Sequence, residues 1–122
     1  MSDLPQLYKA LSEEPRLRIL ALLMRHGELC VCDVEAALGA TQSKTSRHMR
    51  YLAQVGLVED RREGVRMHYR IVERAGPDRA RVLDGLRSFA DEEWRWEEEE
   101  MRLRTWLARK GRTSAVTPLA PG

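Results

Sequence analysis

Val31-Cys32-Asp33-Val34-Glu35-Ala36-Ala37-Leu38-Gly39-Ala40-Thr41-Gln42-Ser43-Lys44-Thr45-Ser46-Arg47-His48-Met49-Arg50 carries two helical stripes parted by a glycine. Val31, Val34, Ala37 and Leu38 recur at helical spacing, and Gly39 suits a left-handed turn that stops the helix. A second helix is predicted from about Gln42 to Gln54, with Thr45, Met49 and Leu52 facing inward. Lys44, Arg47, His48 and Arg50 lie on its polar side, and Gly56 closes it.

Upstream, Leu4, Leu7, Tyr8 and Leu11 share one face of a short helix. Ser12 is the predicted N-cap of the next, in which Leu17, Leu20, Ala21 and Met24 keep the period until Gly27. Downstream, Leu57–Arg62 and Val65–Ile71 alternate apolar and polar residues around Glu63-Gly64, the pattern of a β-hairpin. From Pro77 to about Lys110 apolar residues recur at helical spacing, as one long helix or two.

Composition bounds the class. The chain has 122 residues, 43% hydrophobic and 33% charged, which supports one compact domain with a core. Its longest apolar run, Ile19–Met24, is far too short for a membrane span, and Met1–Pro5 lacks the start of a signal peptide. Two cysteines one residue apart make a poor extracellular framework, so a reducing cytoplasm is expected. The net charge of +2 conceals segregation: residues 43–70 hold seven basic against three acidic residues, whereas 91–100 hold one against seven.

Helix, glycine turn, polar second helix and basic hairpin, in that order, predict a mainly α fold with a small β-hairpin, a winged helix-turn-helix dimerising through its terminal helices. Residues 1–110 form the domain, and 111–122 a disordered tail. Double-stranded DNA is the expected partner. Gln42, Ser43, Lys44, Ser46, Arg47, His48 and Arg50 on the second helix, with Arg61, Arg62 and Arg66 near the hairpin tip, form the candidate interface. Trp94 and Trp96 sit about 200° apart on a helix, so a second subunit is the expected cover. Leu4, Leu7, Tyr8, Leu86, Phe89, Trp94 and Trp96 are the candidate dimer contacts, and a two-fold dimer predicts an inverted-repeat operator.

Glu28-Leu29-Cys30-Val31-Cys32-Asp33, Gln42–Met49, Gly56-Leu57-Val58, Arg62-Glu63-Gly64 and His68-Tyr69-Arg70 resemble the ArsR/SmtB family of metal-responsive repressors, over about residues 4–110. The resemblance implies a homodimeric repressor that leaves its operator when an inducer binds, and Cys-Val-Cys-Asp is typical of the arsenic- and the cadmium/lead-responsive branches. Arsenite-type repressors carry a third thiol where this chain has Glu35. A carboxylate is a poor ligand for a soft ion. Cys30 and Cys32 therefore remain for As(III) with an outside third ligand, for methylated As(III), or for Sb(III); DNA binding itself requires no cofactor. A four-sulfur cadmium/lead site lacks its upstream cysteines. A zinc site on the last helix lacks histidines, since His26, His48 and His68 all precede it.

Two further readings compete. Oxidation of the same thiols would make a redox-sensing repressor, and a cadmium/lead-responsive one shares the fold. Catalysis is not expected, because no histidine or phosphate loop accompanies the cysteines. In a regular helix residues i and i+2 point about 200° apart, so ligation is expected to need extended backbone or an unwound first turn, distorting residues 30–34 and reorienting Gln42–Gln54.

Overall fold

A computed structural model describes residues 4–92 and 97–113. Its elements are α1 (Leu4–Ala10), α2 (Glu14–His26), β1 (Leu29–Cys30), α3 (Val31–Leu38), α4 (Gln42–Gln54), β2 (Val58–Glu63), β3 (Arg66–Ile71), α5 (Pro77–Glu92) and α6 (Glu97–Thr113). No described helix is long and apolar enough to cross a membrane.

The helix-turn-helix lies where the glycines and polar caps put it. Gly39 adopts φ 67°, ψ 29°, the left-handed conformation that ends α3. Thr41 caps α4 by accepting a hydrogen bond from the Lys44 amide at 3.3 Å. Thr45, Met49 and Leu52 are buried on the inner face of α4 as expected. They join Leu7, Ile19, Leu20, Leu23, Val34, Leu57, Tyr69, Leu83 and Leu103 in one core, to which every helix contributes.

Three expectations need correction. The sheet has three strands in the order β1-β3-β2, because Leu29 and Cys30 extend and pair with Tyr69 and His68. Gly27, at φ 84°, ends α2 and turns the chain onto that path. The hairpin turn is Gly64-Val65, one residue later than expected, with Glu63 opposite Arg66. A turn at Glu63-Gly64 of the type with two left-handed residues would force Glu63 to positive φ. With Gly64 first, only the glycine takes it, at φ 64°. Lastly, the N-cap of α2 is Glu13, since the Ser12 hydroxyl donates at 2.7 Å to the Lys9 carbonyl at the end of α1.

The described part of the C-terminal apolar pattern is helical on both sides of residues 93–96, as α5 and α6, and those four residues lie outside the described residues. α6 reaches Thr113, past the expected domain end at 110. Trp94, Trp96 and residues 114–122 lie outside the described residues. α6 packs along α3 and is tied to α2 by the ion pair of Arg18 with buried Glu99 and by His26 Nε2 with Glu100 at 3.1 Å.

Leu52 is fully buried where α4 meets the core. Leu52→Ala is expected to lower unfolding free energy by about 2–5 kcal/mol. Val65→Ala, at the exposed wing tip, should change it by no more than about 0.5 kcal/mol. Urea unfolding at one fixed protein concentration measures both.

Candidate thiol site and nucleic-acid interface

The two cysteines straddle the start of α3. Cys30 is the N-cap, with extended backbone (φ −84°, ψ 165°), and Cys32 is the second helical residue. This step from strand to helix brings the sulfurs together, and they are joined in a disulfide with the Cα atoms 5.3 Å apart. Of the two expected routes, extended backbone or an unwound first turn, the structure supplies the first, since Cys30 is extended before α3 begins. The 200° argument holds only for two residues inside a helix, and Cys30 stands outside it.

Asp33 fixes this arrangement. Its Oδ2 accepts from the Cys30 amide at 2.9 Å, one arm of a capping box. Its Oδ1 accepts from Trp106 Nε1 and from Lys110 Nζ, both at 2.8 Å. The Lys110 ammonium also lies 3.8 Å from Cys30 Sγ. Asp33 is 4% exposed, so these partners replace water around a buried carboxylate.

Cys30, Cys32 and Asp33 place ligand atoms within 4.8 Å of one another. The donor chemistry separates them. Two sulfurs suit a soft ion, while the carboxylate is hard and both its oxygens are already engaged. Reduced to two thiolates, the pair would offer a soft ion two sulfur ligands and leave its third ligand to an outside group. The two cysteines line a cavity of about 280 Å³ together with Glu35 and Trp106, Gln42 and Ser46 of α4, and Val65, Arg66 and Met67 of the wing. Cys30 is buried and Cys32 half-buried at its wall.

On α4, Gln42, Ser43, Lys44, Arg47 and Arg50 are exposed and Ser46 is half-buried, with Arg50 Nη1 donating to Ser46 Oγ at 3.2 Å. His48 is half-buried and turns toward α2, where Arg16 Nη1 lies 3.3 Å from its Nδ1. In the wing, Arg62 and Arg66 are exposed. Arg61 instead grips Glu28 through two hydrogen bonds of 3.1 and 2.8 Å, which hold the Glu28 carboxyl below the usual range. Of the candidate dimer contacts, Leu7 and Leu86 are buried within the protomer, whereas Leu4, Tyr8 and Phe89 are exposed.

Sequence reading missed Arg102, Trp106 and Lys110, which form one stripe of α6 against α3; Arg102 Nε donates to the Ala37 carbonyl at 2.8 Å. Their i, i+4, i+8 spacing was the available signal. Arg16, which is buried, was missed as well.

A recognition-type helix after a glycine turn, followed by a basic two-stranded wing, defines a winged helix-turn-helix DNA-binding protein. Residues 13–60 match the model of the arsR family of bacterial regulatory proteins. The chain is 41% identical over 97 residues to the arsenical resistance operon repressor of Escherichia coli K12, covering 80% of this chain and 77% of that one. Among solved structures it resembles a homodimeric winged helix-turn-helix DNA-binding domain from Mycobacterium bovis, at 40% identity and TM-score 0.59 over 75% of this chain and 81% of that one. It also resembles the AntR antimony-specific transcriptional repressor, at 36% identity and TM-score 0.58 over 70% and 75% of the two chains. The chain belongs to the arsR family, as a winged helix-turn-helix transcriptional regulator.

Asp33→Ala is expected to cost about 1–3 kcal/mol of stability, because the Cys30 amide, Trp106 and Lys110 lose one common acceptor. A double-mutant cycle with Lys110→Met should return a favourable coupling, read from urea unfolding.

Proposed function

We propose that this chain is a homodimeric, cytoplasmic repressor that leaves an inverted-repeat operator when trivalent arsenic or antimony binds Cys30 and Cys32. Methylated As(III) belongs to this inducer class, because its carbon substituent leaves two positions for sulfur. The observation that carries the reading is the shared cavity. The cysteines share its lining with Gln42 and Ser46 of α4 and with Val65–Met67 of the wing. An ion on the sulfurs, with its third substituent, takes up room between the thiols and the DNA-facing elements. Displacing them would need a coupling of about 1–3 kcal/mol to weaken DNA binding usefully. The likeness to an arsenical repressor and to an antimony-specific one supports the ion class.

Exposed Leu4, Tyr8 and Phe89 are the dimer contacts this reading retains among the described residues, together with Trp94 and Trp96, which lie outside them, and Lys44, Arg47, Arg50, Arg62 and Arg66 are its phosphate contacts. The Cys30–Cys32 disulfide favours a second reading, release by oxidation. Peroxide would take two electrons and the two thiol protons, leaving the disulfide and two waters.

Reduced protein on its DNA is titrated with arsenite, antimonite and methylated As(III) while consumed thiols are counted. Release with two thiols consumed per chain is expected, and Cys30→Ser or Cys32→Ser should bind DNA normally yet resist release. Release of the doubly substituted protein by arsenite overturns the reading. Release by peroxide alone, with no response to metalloid, replaces it with the redox one. Separately, Arg47→Ala should weaken binding and flatten the salt dependence by about 0.9 in log–log slope, whereas Arg61→Ala, whose charge Glu28 already holds, should leave the slope unchanged.

A further inference from the structure

Arg16 is 6% exposed and sits where three helices meet. Its Nε donates at 2.7 Å to the Ala10 carbonyl and Nη2 at 3.2 Å to that of Lys9, closing the end of α1. Its guanidinium carbon lies 4.2 Å from the centre of the Tyr51 ring, a cation–π contact with α4. One helical turn earlier, His48 Nδ1 lies 3.3 Å from Nη1. A guanidinium only donates, so a hydrogen bond here takes Nδ1 as its acceptor, which calls for the neutral tautomer with the proton on Nε2.

We propose that His48 is a positioning residue, not a DNA contact: its neutral ring, held by Arg16, sets the rotation of α4 and hence the aim of Gln42, Ser43, Lys44 and Arg47. Arg16 touches successive turns of α4 through His48 and Tyr51, adding polar contacts to the seat that buried Thr45, Met49 and Leu52 already give the helix. The charged groups facing the ring are Arg16 and Glu13 from α2 and its cap, and Lys44 and Arg47 from α4 itself. Burial first, then the Arg16 guanidinium, push the imidazole below its ordinary value. A depressed value means that the neutral ring stabilises the fold above the ordinary histidine pKa, and that this contribution is lost as pH falls through the depressed one. Acid therefore loosens the joint and weakens DNA binding. A histidine contacting phosphate has the opposite sign, since gaining a proton tightens its grip.

The test uses the full reduced chain, without metalloid, on a duplex that the wild type selects from a random pool. His48→Asn places a non-titrating amide oxygen near the position of Nδ1, and His48→Leu removes the acceptor. Once pH has fallen from about 7.5 through the depressed histidine value, the wild type is expected to have lost at least about fivefold in affinity relative to His48→Asn. His48→Asn should bind like wild type at the higher pH, and His48→Leu weakly throughout. A wild type that tightens relative to His48→Asn as pH falls overturns the proposal, as does a His48→Leu protein that binds like wild type. Should His48→Leu fail to fold, the sign of the pH profile of wild type against His48→Asn decides alone.

Discussion

A single buried carboxylate holds the thiol-bearing end of this molecule together. Asp33 caps the backbone of the residue that carries one thiol, and through Trp106 and Lys110 it receives the last helix. An unpaired charge at that depth is costly, so the interactions stand or fall as a set. The set defines where α3 begins. That starting point gives Cys30 extended backbone and Cys32 helical backbone, which is why the sulfurs face each other.

The DNA-facing half depends on an analogous arrangement of opposite charge. Arg16 is buried among α1, α2 and α4, and it too is satisfied by backbone carbonyls on one side and side chains on the other. Between these anchors runs the helix-turn-helix, and the cavity beside the sulfurs opens onto α4 and the wing. The thiol site and α4 are thus neighbours lining one cavity.

Local chemistry was legible in the sequence. The Gly39 turn, the bounds of α4 and its buried Thr45, Met49 and Leu52 follow from spacing and capping, because short-range rules dominate there. Less legible were features that depend on partners distant in the chain. β1 is two residues long and exists because β3 pairs with it. Arg61 looked like a free wing cation until the fold brought Glu28 beside it. His48 carried the signature of a polar helix face, yet Arg16, thirty-two positions earlier, turns it inward. Lys110 and Trp106 gave only a helical spacing, with nothing local to name Asp33 as their target.

The sulfur pair comes from one three-residue stretch, Cys30–Cys32, so it closes without help from any other chain. On the proposed reading, an assembly of two such protomers would carry two self-sufficient sites, each able to fill alone. Half-loaded particles would then be ordinary species at low dose, and the response would be graded unless the shared DNA forced the halves to let go together.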